Sequence, residues 1–347
     1  MRLRRHAKLL ALTLGAAVVA VAATGCSAES SSSSASGDKK SIVVITPNPV
    51  GVDAFLKLSV DGSKAAAKTA NADVKVYEST DPTSISQNLQ AAIDAKPNLI
   101  VAIGFNFDDL MKTAPVDNPD QQFLQVDSCP ENPAKNLTCA RFKEYEAVYL
   151  AGVEAGLLTK KNALGAVAAL DSPFIHRWTD PFGEGAKSVN PKSTFTPLFV
   201  GGNNPFSDPA RANAQAETLA QKGVDYVMAA SSGGNTGVFQ AAKAGGFYAF
   251  GVDVNECGKE PGVVVDNAIK RVDVAIQNAV KAIFDGKPGG VTEYGLKEDG
   301  VGLTGLEADV ASSGCVIAQH TDVLAKVKEV RDRIVSGELV IKDPAAA

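Results

Sequence analysis

The segment LGAVAAL (164–170) decides how this chain folds. It is a short run of small and branched apolar residues, as a strand buried on both faces of a parallel sheet requires. It follows a helical stretch, Tyr145 to Thr159, in which Gly152 and Gly156 permit close packing. Upstream of that helix, strand and helix have already alternated once. SIVVIT (41–46), DVKVYES (73–79), LIVAIG (99–104) and FLQVD (123–127) read as strands. Phe55, Leu58, Gly62, Ala65 and Ala66 recur at helical spacing after the first, and Ser84 to Ala95 reads as a helix after the second. At LGAVAAL the series restarts. A helix from Phe174 to Val189, STFTPLFVG (193–201), a helix from Pro209 to Gln221, VDYVMAA (224–230), a helix from Thr236 to Ala244 and FYAFGVD (247–253) follow in turn. Helices from Arg271 to Asp285 and from Val323 to Ser336 complete the pattern.

Such alternation predicts parallel sheets covered by helices on both faces. A series of about ten strands that restarts near residue 160 predicts an α/β chain of two doubly wound lobes joined by a hinge. A single barrel is the alternative arrangement. The expected boundaries are 41–142 plus about 256–320 for lobe 1, and about 143–255 plus 321–347 for lobe 2.

The 347 residues, 45% apolar and 21% charged, are ordinary for a globular protein of one or two domains. The net charge of −5 hides two unlike parts. Residues 1–25 carry Arg2, Arg4, Arg5 and Lys8 and no acid; without those four cations the rest stands at −9. No basic cluster remains in the body, which argues against nucleic-acid binding. Residues 9–23 form an apolar run of 15 residues, short for a membrane span of about 20. The run ends in Ala23-Thr24-Gly25-Cys26, which resembles a bacterial lipoprotein signal with Cys26 as the acylated residue. The usual Leu at the first position of that pattern is Ala23 here. Residues 1–25 are therefore expected to be a signal peptide, and 26–40 the lipidated Cys and a Ser-rich tether. The 14 residues after Cys26 would hold the body about 20 Å from the lipid. The other four cysteines, an even number in an exported chain, favour disulfides. Cys129 and Cys139 close a short loop and are paired, which leaves Cys257 with Cys315. A zinc site is the alternative, without a Cys-x-x-Cys or a nearby His to support it.

In open α/β sheets, ligands sit beyond the carboxyl ends of strands. The loops there mix Gly, for close backbone approach, with Asn, Asp and Ser: Pro47-Asn48 to Phe55, Gly104 to Asp109, Asp127, Asp171-Ser172-Pro173, Gly201 to Phe206, Ser231 to Asn235, and Gly251 to Asp253. Any one of these reads as an ordinary turn. Seven on the same edge point to a neutral, hydroxylated or amide-bearing ligand.

The order of segments resembles the basic membrane protein family of substrate-binding lipoproteins, which includes purine nucleoside receptors of ABC importers. The resembling pieces are VGVDAFLKLSVDGSKAA (50–66), LIVAIGFNFDDLM (99–111), FKEYEAVYLAGVEAGLLTK (142–160), DSPFIHRWTDPFGEGAKSVNP (171–191), 203–243, YAFGVDVNE (248–256) and AIKRVDVAIQNAVKAIFDG (268–286). The resemblance implies a type I periplasmic-binding fold and a ligand between the lobes. It further implies Phe55 and Trp178 as rings stacking on a base, Asp127 near the ligand, and Ser232, Gly233 and Gly234 as a sugar loop. Asp253 would accept from sugar hydroxyls and Lys270 would donate to one. Two positions depart from the family pattern. Neutral Asn48 stands where many members carry Asp, and Leu56 stands where many carry a base-reading Asn, so the expectation is that Asn106 or Asp108 reads the base instead, or that the pocket binds a different ligand.

The leading expectation is thus a lipid-anchored extracytoplasmic receptor, monomeric and without a cofactor or metal. It would deliver a nucleoside to an ABC permease whose ATPase lies elsewhere, because the chain has no G-x-x-x-x-G-K-S/T. A sugar or related ligand, for import or for a sensor, is the second reading. A secreted nucleosidase using Asp127 and Asp253 is the third. His176 and His320 stand in no catalytic context.

Overall fold

The computed structural model describes residues 39–346. Cys26, the signal segment and nearly all of the tether lie outside the described residues. Lobe 1 begins with β1 (Lys40–Thr46), α1 (Ala54–Thr69), β2 (Ala72–Glu78), α2 (Pro82–Asp94), β3 (Leu99–Ile103), α3 (Asp108–Asp117), β4 (Phe123–Val126) and β5 (Leu137–Phe142). The chain then crosses over to α4 (Glu144–Leu158), β6 (Ala163–Ala168), α5 (Pro173–His176), α6 (Asp180–Val189), β7 (Thr194–Phe199), α7 (Pro209–Gln221), β8 (Tyr226–Ala230), α8 (Asn235–Gly245), β9 (Tyr248–Asp253) and β10 (Val264–Lys270). It returns for α9 (Val272–Phe284) and β11 (Gly290–Tyr294), and ends with β12 (Val301–Leu303) and α10 (Thr321–Ser336).

Two six-stranded sheets result, ordered β11-β5-β4-β3-β1-β2 and β12-β10-β9-β8-β6-β7. All pairings are parallel except β10 with β12. The two separate sheets dispose of the barrel. Every residue of β3, β4 and β8 is buried, as helices on both faces require.

The lobe boundary differs from the expected one. β10 pairs with β9 and β12 pairs with β10, so 264–270 and 301–303 belong to the second sheet, not to lobe 1. Only α9 and β11 return to lobe 1, where β11 pairs with β5 and α9 packs on α1. A Cβ on Gly62 of α1 would come 2.6 Å from the Cα of Asp273. The expected helix from Phe174 to Val189 is broken into α5 and α6, because Pro181 in the first turn of α6 has no N–H to continue α5. Pro197 lies in β7, an edge strand where a missing donor is tolerated. Gly152 does allow close packing: a Cβ there would lie 2.1 Å from the carbonyl oxygen of Phe182 in α6.

Three connections form the hinge, near residues 143, 271 and 295–300. They are bonded to one another. Lys143 N donates to the Tyr294 carbonyl (3.0 Å), and Arg271 N to the Gly300 carbonyl (2.9 Å). Glu146 accepts from Leu296 N at 2.8 Å. Both disulfides are present, Cys129–Cys139 with Cα atoms 5.6 Å apart and Cys257–Cys315 with 5.0 Å.

Candidate functional site

The carboxyl ends of β1, β3 and β4 in lobe 1 face those of β8, β9 and β10 in lobe 2 across a cleft. At its inner end sits Lys270, the last residue of β10 and almost fully buried. Its Nζ donates to Asp127 Oδ1 at 2.7 Å and lies 3.9 Å from Asp253 Oδ1. Burial alone would lower its pKa, but Asp127, Asp253 and Glu144 outweigh that and raise it, so the ammonium stays charged.

Asp253 is a carboxyl in search of a partner. It is 8% exposed, and its Oδ1 has no hydrogen bond among the described residues. Burial lifts its pKa from 3.8 to about 7 against the opposing pull of Lys270. The buried Ser232 hydroxyl stands beside Asp53 and makes no hydrogen bond of normal geometry among the described residues. Asp53 lines the cleft as well; it caps α1 through the Leu56 N–H (3.0 Å), and burial raises its pKa. Asp127, Ser232 and Asp253 hold positive φ of 82°, 52° and 67°. Such backbone costs about 1–3 kcal/mol per residue and clusters at functional sites. A buried network fixes two of these loops. Ser231 N donates to Asn235 Oδ1 (2.8 Å), and Asn235 Nδ2 donates to Glu256 Oε2 (2.8 Å). Val252 N donates to that same oxygen at 3.1 Å.

Aromatic rings wall the cleft. Phe55 and Trp178 face it, with ring centroids 4.7 and 4.9 Å from Lys270 Nζ. The ammonium therefore stands against both rings expected to hold a base. Further out, Phe105 of lobe 1 stacks on Phe174 of lobe 2, centroids 4.9 Å apart, with Phe206 at 6.4 Å from Phe105. These three were not among the expected ligand contacts. Phe206 carried the one available signal, an aromatic set alone in the polar loop Gly201 to Asp208.

Asn48 and Asn106 line the cleft on the lobe 1 side. Asp108 does not. It accepts from Gln125 Nε2 (2.5 Å) and the Ser128 hydroxyl (2.9 Å), away from the cavity, because a half-buried carboxylate at a helix start takes the nearest donors. Gly233 and Gly234 lie behind Ser232 rather than on the cavity wall. A Cβ on Gly233 would come 2.9 Å from Val52 of the opposite lobe, so that glycine lets the lobes approach. Behind Trp178, Arg177 is bonded to Asp343 of the C-terminal segment and lies 3.6 Å from Glu144, a fully buried carboxyl with a pKa raised by burial to about 7.

Two facing parallel-sheet lobes, with a polar and aromatic cleft at a three-strand hinge, define the type I periplasmic-binding fold. A solved ABC-transporter solute-binding protein from Aeropyrum pernix K1 has this fold, with a TM-score of 0.77 and 23% identity over 88% of this chain and 94% of that one. A family model described as ABC transporter substrate-binding protein PnrA-like matches residues 39–341, and the chain belongs to that family. It is therefore the substrate-binding component of an ABC transporter, working with a membrane permease on a small-molecule ligand. Among its relatives are the "CD4+ T-cell-stimulating antigen" of Listeria monocytogenes, 28% identical over 99% of both chains. Another is the "ABC transporter nucleoside-binding protein BmpA" of Lactococcus lactis, 29% identical over 83% of this chain and 87% of that one.

Proposed function

We propose that this chain is a lipid-anchored, extracytoplasmic receptor that closes its lobes on a nucleoside and hands it to the permease. The observation that carries this reading is the division of the cleft. Its inner end has three carboxyls, of which Asp253 has no hydrogen bond on Oδ1 among the described residues, and it suits a polyhydroxylated group. Its walls are aromatic and suit a flat ring. The single cation on the cleft among the described residues, Lys270, is already paired, which disfavours a phosphorylated ligand. The name of the Lactococcus relative supports the same class. Anchoring through Cys26 is supported by the sequence signal and by a relative from Pyrococcus abyssi named as a lipoprotein. A nucleoside has about 20 heavy atoms, and at about 0.4 kcal/mol per atom it would bind in the micromolar range or tighter.

Mass spectrometry of ligand released from denatured protein, with a thermal-shift screen of nucleosides, sugars and nucleotides, tests the reading. A nucleoside is expected in the extract and in the strongest shift. A shift with free sugars alone would replace the nucleoside by a sugar.

A further inference from the structure

If the cleft takes a nucleoside, something must read the polar edge of its base. Leu56 is buried and offers only methyl groups. Asp108 has both oxygens engaged with Gln125 and Ser128. Asp53, Asp127, Asp253 and Lys270 are gathered with Ser232 at the inner end. Two side-chain amides remain on the cavity wall, Asn48 and Asn106, and neither has a side-chain hydrogen bond among the described residues. Of the two, Asn106 adjoins the aromatic end. It follows Phe105, whose ring stacks on Phe174. Gly104, with φ +97°, turns the chain there, and Asn106 Oδ1 lies 3.5 Å from where a Cβ on Gly104 would sit.

We propose that Asn106 is the specificity-determining residue of the aromatic end, its amide reading the edge of a base that lies against the Phe105–Phe174 stack. This rests on the nucleoside reading above. An amide offers one donor and one acceptor side by side, the complement of an edge that carries an acceptor beside a donor, as adenine does. A carboxylate in its place would accept only, and would favour an edge that presents two donors, such as the N–H and amino group of guanine. The free state of the amide also fits its position. An exposed Asn costs little until a ligand buries it, and from then on an unmatched partner is penalised.

The test is calorimetric titration of the ligand-stripped, otherwise intact chain and its Asn106→Ala and Asn106→Asp variants with adenosine, inosine, guanosine and purine riboside, which lacks the 6-substituent. Asn106→Ala is expected to weaken the best-bound substituted nucleoside about tenfold, and purine riboside less than threefold. Asn106→Asp is expected to move the guanosine-to-adenosine preference about tenfold toward guanosine. Equal losses for all four ligands, or no loss for any, would overturn the assignment while leaving the nucleoside reading intact. No nucleoside binding by the unmutated protein would overturn both.

Discussion

At the inner end of the cleft, Asp127, Asp253 and Lys270 are each less than a tenth exposed and share one ammonium. At its mouth, Phe105, Phe174 and Phe206 meet across the lobes, with the exposed Asn106 beside them. The inner groups are pre-positioned by strand ends, positive φ and a buried network. The mouth groups stand on short segments, with Phe174 in the one-turn helix α5, and their contacts depend on the lobes being together. The inner end should therefore contribute affinity through hydrogen bonds made to a fixed frame, and the mouth should contribute it by setting how long the lobes stay shut.

The strongest way to break this contrast is Asp253→Asn. Loss of a charge-assisted pair of hydrogen bonds should weaken nucleoside binding about a hundredfold. The ligand-free melting temperature should hold or rise, because the removed carboxyl is buried with Lys270 only at 3.9 Å and no hydrogen bond on Oδ1 among the described residues. Unchanged affinity by calorimetry would dissociate Asp253 from the ligand.

Phe105→Ala should cost about tenfold, the scale of a lost aromatic stack, and stopped-flow Trp178 fluorescence should show the loss in the off-rate. A loss confined to the on-rate would mean that the mouth works before closure and not after it.

The pH dependence sharpens the inner end. Free Asp253 titrates near 7, and a hydroxyl donating to its carboxylate lowers that pKa on binding. Protons are therefore released when ligand binds below pH 7. Affinity should rise up to about tenfold between pH 5.5 and 7.5 and then level off. Calorimetry in buffers of different ionisation heat should detect the released proton, and Asp253→Asn should abolish it. In the free protein the sign is opposite. A carboxyl whose pKa is raised by folding favours the native state at low pH, and that contribution is lost as pH rises through about 7.

The smallest expected effect on binding is that of Cys257→Ser with Cys315→Ser. The bridge lies behind β10 and closes a 58-residue separation, worth about 4 kcal/mol in the chain-entropy model. The melting temperature should fall by many degrees while affinity stays within about twofold.

The inner end was the more legible in the sequence, and for a physical reason. Buried parallel strands are continuous apolar runs, so SIVVIT and FYAFGVD announce themselves, and the ligand-facing residues must come just after them. β10 is not legible in the sequence, because Asp266 and Asn267 interrupt its apolar pattern. The fold buries both by using their hydrogen bonds internally. Asp266 accepts from Gly305 N at 2.8 Å, and Asn267 donates to the Thr304 hydroxyl at 3.1 Å. That is also why the lobe boundary was misplaced. Asp108 was expected at the ligand because spacing along a loop does not say which way a side chain turns. The Phe105–Phe174 stack joins residues 69 positions apart on different lobes, and no local pattern carries such a contact.

The central claim is that the cleft accepts a neutral nucleoside, with hydroxyls at the carboxylate end and a base among the rings. Calorimetric titration of ligand-stripped protein with a nucleoside, its 5′-nucleotide and free ribose tests it most directly. Micromolar or tighter binding of the nucleoside is predicted, with the nucleotide and ribose each at least about a hundredfold weaker, the scale set by an unpaired buried phosphate or an unfilled aromatic end. Equal or tighter binding of the nucleotide or of ribose would contradict it.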